Sequence, residues 1–411
     1  MTTTLEPVVI TGRGIVSAIG NDCQTVADNL FAGRGGIAGI TGFDVAGNDV
    51  TYGAEVAADA LDHQKGKLRR ADRTVRFAVE SARQALNEAG FGGGEGDAEP
   101  PTGLATLWGC GCGPAGTLDA AHVRFGVKGP KGMRPSTVPA CMANSVSAGV
   151  SIHFGLTGTN QVVVSACTSA TNAIGQAFRL IRHGYADVAL CGGVDAFFDP
   201  FYYGVWNNLG VLSTIDDPAT ALRPFDRDRA GTLLGEGAGA LILESARHAE
   251  ARGATVRGEI LGYGETSDAT HITSPDSAGQ TRAIELALAD AGIAPSDVAT
   301  INAHGTGTLA NDVTESQSIR TAFGDAADDI PVGATKSYFG HTLGASGALE
   351  SIATLLALEA GRVPPNLNLD HPDPECPVRL VGSEPEPLRG NVAVKNSFGF
   401  GGGNAVLVLR R

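Results

Sequence analysis

Internal repetition restricts the fold of this chain more than any other feature. The run Gln161-Val-Val-Val-Ser-Ala-Cys-Thr-Ser-Ala-Thr-Asn-Ala-Ile-Gly175 passes from a strand-like apolar stretch through small residues into a helix of period near 3.6. Val332-Gly-Ala-Thr-Lys-Ser-Tyr-Phe-Gly-His-Thr-Leu-Gly-Ala-Ser-Gly-Ala-Leu-Glu350 repeats that design. Glu236-Gly-Ala-Gly-Ala-Leu-Ile-Leu-Glu244 and Gly401-Gly-Gly-Asn-Ala-Val-Leu-Val-Leu409 read as matching closing strands. The pattern predicts a duplicated unit, with halves at 1–250 and 251–411.

Strands expected at 8–11, 105–109, 162–165, 188–192, 256–263 and 300–303 alternate with helices at 73–89, 168–183, 281–291 and about 343–358. Such alternation predicts an α/β fold with helices on mostly parallel sheets. The 57 glycines have no period and gather at strand-to-helix junctions, which argues for tight turns rather than disorder. Two open sheets place strand ends and helix N-termini around shared crevices, where α/β proteins bind ligands.

Cys167 stands at such a junction. Unpaired N–H groups and the positive end of a helix dipole predict an exposed sulfur of lowered pKa, a candidate nucleophile. The alternative is a core cysteine, since free Cys is among the most buried residue types. Three Gly-rich segments downstream hold His304, Lys336, His341 and Phe400, which favours the nucleophile.

Seven cysteines form no even framework, so reduced thiols are expected, and Cys110 with Cys112 lack the second pair that a zinc site needs. No catalytic metal is expected. The N-terminus lacks a basic, then apolar, signal segment, and no run of about 18 apolar residues is read as a membrane span, so the expectation is a cytoplasmic protein that does not bind membrane. A net charge of −14 repels nucleic acid. Against that charge, residues 65–76 carry six basic side chains: Lys65, Lys67, Arg69, Arg70, Arg73 and Arg76. Either this is a solvated helix face, or it docks an acidic protein.

Four motifs now carry a resemblance: Ala166-Cys-Thr-Ser169, Asn302-Ala-His-Gly-Thr-Gly-Thr308, Lys336-Ser-Tyr-Phe-Gly-His-Thr-Leu-Gly-Ala345 and Asn396-Ser-Phe-Gly-Phe-Gly-Gly402. From end to end the chain resembles the elongating β-ketoacyl-acyl-carrier-protein synthases. The resemblance implies the thiolase fold, a duplicated five-layered α-β-α-β-α arrangement, usually dimeric. It implies a decarboxylative Claisen condensation in which an acyl chain moves from a carrier protein to Cys167, and malonyl-carrier protein then loses carbon dioxide and attacks. No cofactor of its own is implied, because phosphopantetheine rides on the acyl carrier protein.

By the same resemblance, the N–H groups of Cys167 and Phe400 form an oxyanion hole and Phe400 is a gate. His304 and His341 hydrogen-bond the malonyl thioester carbonyl, and Lys336 orients a histidine and pairs with Glu350. Thr306 and Thr308 hold pantetheine, Cys112 lines the acyl pocket, and Lys65, Lys67, Arg69, Arg70 and Arg73 dock the carrier protein.

Two departures bear on the pathway. Gly403 stands where the fatty-acid enzymes usually carry Thr, and Ala310-Asn-Asp-Val-Thr-Glu315 is similar to ketosynthases of type II polyketide systems, which often pair with a cysteine-free chain-length factor. The expectation is a ketosynthase of a type II polyketide system, of the highly reducing, polyene-forming kind among others, with fatty-acid elongation as the alternative and a homodimer or such a heterodimer as its assembly. A non-catalytic partner subunit would lack Cys167, and a degradative thiolase would carry a second cysteine where this chain has Phe400.

Overall fold

The computed structural model describes residues 5–92, 100–101 and 103–411. Its ten main strands are β1 Val8–Ser17, β2 Ala105–Gly109, β3 Asn160–Val163, β4 Val188–Asp195, β5 Gly237–Ser245, β6 Gly258–Ser267, β7 Thr300–Asn302, β8 Val332–Gly333, β9 Val392–Gly399 and β10 Gly403–Arg410. The helices that matter below are α1 Arg73–Glu88, α2 Ala115–Lys128, α3 Ser145–Phe154, α4 Ser169–Arg182, α5 Ser277–Ala291, α6 Leu309–Phe323 and α7 Ser346–Ala360.

Strand order in the sheet is β8-β7-β9-β10-β6-β1-β5-β4-β2-β3. Read outward from the centre, one half runs β1-β5-β4-β2-β3 and the other β6-β10-β9-β7-β8. Every strand has its counterpart five places later in the chain, so the duplication is exact in connectivity. Within the sheet, among the described residues, the halves join where Val8, Val9 and Ile10 pair with Ile260, Glu259 and Gly258.

The sheet is mixed rather than mostly parallel. The pairs β4–β2, β2–β3, β9–β7 and β7–β8 are parallel, but each half's closing strand runs antiparallel to both its neighbours. The cause is visible in the second half, where β9 and β10 form a tight hairpin across Gly399 and Gly403.

Alternation along the strands builds the layers. In β5, Leu241 and Leu243 face a central core with α4 and α7, whereas Ala238, Ala240 and Ile242 face an outer core with α1 and α3. In β10, Ala405, Leu407 and Leu409 face the same central core, and Val406 and Val408 face a second outer one with α5 and α6. Five layers result, α-β-α-β-α.

Position in the middle layer explains the composition of α7. Leu343–Ala360 is long and apolar enough to cross a membrane, contrary to the expectation that no such run exists, but 89% of it is buried inside the fold, the mark of a core helix. In α4 the buried Ala170, Ala173, Ile174, Ala177, Phe178 and Ile181 follow the helical period.

Candidate active site

Cys167 lies in the 3-10 turn Ala166–Thr168 that leads into α4. Ala166 before it has φ 52°, a left-handed backbone that costs an L-residue roughly 1–3 kcal/mol unless its surroundings impose it. They do. The Ser165 N–H donates to Ser169 Oγ at 2.9 Å, and Ser169 Oγ donates to Cys110 O at 3.2 Å. A Cβ at Gly109 would stand 2.3 Å from the Ala170 nitrogen, so only glycine lets β2 approach this closely. In the second half Leu343, just before α7, has φ 44°: the duplication has kept the strained turn as well as the strands.

The thiol departs from expectation in both respects. Cys167 is 6% exposed, and burial pushes its pKa up to about 11, with Lys336 and the Phe400 N–H acting the other way. Because Cys167 is buried, desolvation outweighs the favourable turn. The Phe400 N–H is nevertheless directed at this sulfur, and Gly399 lets that strand in, since a Cβ there would lie 3.2 Å from the Cys167 nitrogen.

Around the sulfur the second half supplies its strand-end loops. His341 Nε2 is 3.1 Å from Cys167 Sγ. The Leu343 N–H donates to His341 Nδ1 at 3.3 Å, which leaves Nε2 as the protonated nitrogen, donating toward the sulfur. Lys336 donates to His304 Nδ1 at 3.1 Å, so His304 too carries its proton on Nε2. The two imidazoles meet edge to face with centroids 5.3 Å apart. Both have pKa values held well below the usual 6.5, by burial first and then by Lys336, so both are neutral hydrogen-bond donors near neutral pH.

Lys336 and Glu350 form a buried ion pair through Oε1. Thus Cys167, His304, His341, Lys336 and Glu350 converge, although their order in the chain spans both halves. Three further residues are not read from sequence as part of the site, although Glu315 is singled out there for the pathway. Glu315 of α6 accepts the His304 and Gly305 N–H groups at 2.7 and 2.8 Å and so fixes that loop. Asp195 at the end of β4 accepts N–H groups from Gly111, Cys112 and Gly344, and burial raises its pKa to about 7. Lys395, inside β9, stands 2.9 Å from Glu350 Oε2. A signal for the last was available: a lone lysine inside an apolar strand run.

A cavity of about 580 Å³ opens onto Cys167, His304 and His341, with Thr306, Thr308 and Phe400 in its wall. Phe400, 38% exposed, stacks on Trp206 with centroids 6.2 Å apart. The hydroxyls of Thr306 and Thr308 lie 2.8 Å from each other. Cys112 does not line this cavity; it packs among Phe197, Tyr203 and Leu343 in the apolar cluster that also holds Cys167. Among the described residues Asp226, Asp228 and His371 are grouped closely enough to hold a cation, but Arg223 and backbone N–H groups already engage Asp226.

The basic stretch divides. Lys65, Lys67, Arg69 and Arg70 are exposed. Arg73 is not free to dock a partner, because its guanidinium turns inward to the fully buried Glu236 and to Val56 O. Arg76 likewise donates to Gln64 and Leu61 O.

Residues 5–249 match the family described as β-ketoacyl synthase, N-terminal domain, and residues 257–370 the corresponding C-terminal domain. The 3-oxoacyl-acyl-carrier-protein synthase 2 of Synechocystis sp. is 43% identical over 411 residues, 98% of each chain. The protein of that name from Staphylococcus aureus is 40% identical over 408 residues, again 98% of each. Among solved structures, the ishigamide ketosynthase/chain length factor superposes with a TM-score of 0.91 at 35% identity over 99% of each chain. A type II polyketide acyl-carrier protein in complex with its ketosynthase bound to the hexaketide gives 0.90 at 29%, also over 99% of each chain. Given both domain families in order and full-length relatives at such identity, the chain belongs to the β-ketoacyl synthase family, as an acyltransferase of the elongating ketosynthase kind on the thiolase fold.

Proposed function

We propose that this enzyme extends an acyl chain held on Cys167 by decarboxylative condensation with malonyl-acyl-carrier protein, within a type II polyketide system. The observation that carries the reading is the convergence of Cys167 Sγ, His341 Nε2 and the Lys336–His304 pair on one cavity. In the first step the Cys167 sulfur attacks the acyl thioester carbonyl, the C–S bond to pantetheine breaks, and the pantetheine thiol leaves with the proton. The Phe400 N–H serves the oxyanion of that step. In the second, the malonyl C–C bond breaks, carbon dioxide leaves, and the resulting enolate attacks the Cys167 thioester, releasing the thiolate. Two neutral Nε2–H donors suit an oxygen that gains charge as carbon dioxide departs.

For the pathway, the support is the Asn311-Asp312 and Glu315 pattern together with the polyketide ketosynthases among the structural neighbours. Fatty-acid elongation is the second reading, favoured by the higher identity of the synthase 2 relatives. Mixing the purified chain with equal amounts of saturated and polyunsaturated medium-chain acyl-carrier protein and weighing the intact protein tests both readings. Preferential unsaturated loading supports the polyketide reading, saturated loading the fatty-acid one, and no added mass rejects a self-sufficient enzyme.

Carrier-protein docking falls to the exposed Lys65, Lys67, Arg69 and Arg70. The double change Arg69→Glu, Arg70→Glu is expected to raise the KM for carrier protein about tenfold at low salt while kcat holds, since exposed charges steer encounter more than chemistry. An unchanged KM would place docking elsewhere.

The partner subunit is a second copy of this chain across the β3 edge. Among the described residues that strand ends the sheet, and beside it Ile152 of α3 (83% exposed) and Val164 (58%) present apolar side chains to solvent. Sedimentation should give a dimer that Ile152→Asp with Val164→Asp reduces to monomer. A monomeric wild type that dimerises only with a cysteine-free homologue would make the assembly heterodimeric.

A further inference from the structure

Lys395 has no part in the motifs, yet it is as buried as Lys336. It sits in β9, in register with Asn302 of β7 and one residue before the Asn396-Ser-Phe-Gly-Phe segment. Its ammonium meets Glu350 Oε2 of α7 at 2.9 Å, Thr171 Oγ1 of α4 at 3.4 Å and the Ser397 hydroxyl. Thr171 and Ser397 are themselves 2.7 Å apart. Two hydroxyl acceptors and an ion pair with Glu350 describe a seat for a charged ammonium. Glu350 therefore lies between two lysines, Oε1 toward Lys336 and Oε2 toward Lys395.

We infer that Lys395 is a positioning residue for the decarboxylation step, which fixes Glu350 from behind so that Lys336 is held against His304. This rests on the proposed use of His304 and His341 as hydrogen-bond donors. Glu350 with only one lysine could turn its carboxylate to take two of the Lys336 N–H groups and draw that lysine off His304 Nδ1. With Lys395 on Oε2, only Oε1 is left for Lys336.

Lys395 also adds a charge. The groups facing it are Glu350 of α7, Lys336, and Glu315 of α6; burial and Lys336 lower its own pKa, while the two glutamates raise it. In turn it lowers the pKa of His304 and His341, after burial and Lys336 in each case. The largest influences on Cys167, after burial, are instead Lys336, the Phe400 N–H, Asp195 and Glu350. The two half-reactions should thus respond differently. Removing this positive charge raises both histidine pKa values, so the acid limb of condensation moves to higher pH, whereas acyl loading of Cys167 is unaffected.

The experiment uses the full chain, wild type and Lys395→Met. Intact mass after mixing with acyl-carrier protein measures loading, and single-turnover condensation of loaded enzyme with malonyl-carrier protein is followed across the acid range. The expected result is normal loading with the acid limb raised by about one pH unit, a tenfold change in the protonation constant. A purely structural lysine would lower the thermal midpoint and leave the limb in place; an unmoved limb in a loading-competent variant overturns the inference. If Lys395→Met does not fold, Lys395→Gln, which keeps a donor to Glu350 without the charge, is read in the same way, and failure of both to fold also overturns it. A wild type that accepts no acyl group would remove the underlying functional reading, and would do so before any substitution is made.

Discussion

Cys167→Ala is expected to abolish acyl loading and to lower condensation by about four orders of magnitude or more, because no other group in the cavity can form the thioester. The six other cysteines offer no substitute: Cys110 and Cys191 are sealed in the core, and Cys112 packs beside the site without lining the cavity. The substitution leaves Lys336, Glu350 and His304 in their mutual contacts, and His341 keeps its Nδ1 partners, the Leu343 N–H and the Ser346 hydroxyl, losing only the Nε2 contact with the sulfur. Release of carbon dioxide from malonyl-carrier protein should therefore persist in the variant, the enolate being protonated instead of attacking a thioester. Intact mass and carbon dioxide release, measured on the same preparation, separate the two effects. An acyl adduct on the Ala variant would place the nucleophile elsewhere, and loss of decarboxylation as well would mean that the thiol, not the donors, activates malonate.

The residues of that prediction were legible because the chemistry and the duplication both write themselves in local patterns. A strand, a small-residue turn and a helix recur at Cys167 and again around His341, and the structure turns that recurrence into strands that match five places apart. Two readings failed for a common reason. The sequence places Cys167 at a helix start, but whether dipole or desolvation decides its pKa depends on how deeply the turn is buried, which is set by Gly109, Gly399 and strands far away in the chain. Arg73 belongs to a basic run, yet its partner is Glu236, 163 positions later. The strained Ala166 gave no signal either, since glycine, the usual marker of a positive φ, is absent there. Lys395 was visible as a charge in an apolar strand, but its meaning lay in Glu350, whose two oxygens only the fold assigns.

His304→Ala and His341→Ala should each slow condensation of preloaded enzyme by about 10²–10³-fold, the usual loss for a preorganised donor to a developing oxyanion. They should differ in the loading step. His341 directs Nε2–H at Cys167 Sγ from 3.1 Å, whereas His304 is tied to Lys336 and meets the His341 ring edge to face. Loading should consequently fall in His341→Ala and remain near wild type in His304→Ala. The tautomers make the pair work as neutral donors, and the pH behaviour follows with a definite sign. Protonation would place an N–H on Nδ1 of His341 facing the Leu343 N–H, and on Nδ1 of His304 facing the Lys336 ammonium. Both encounters are repulsive, in keeping with pKa values well below 6.5. Condensation should therefore hold its rate as pH falls through 6.5 and decline only at more acid pH. Single-turnover rates of preloaded wild type and both variants, read against loading by mass, decide the matter. Equal losses in loading for the two variants would reject the division of roles, and a wild-type rate that falls away at pH 6.5 would reject neutral histidines as the donors.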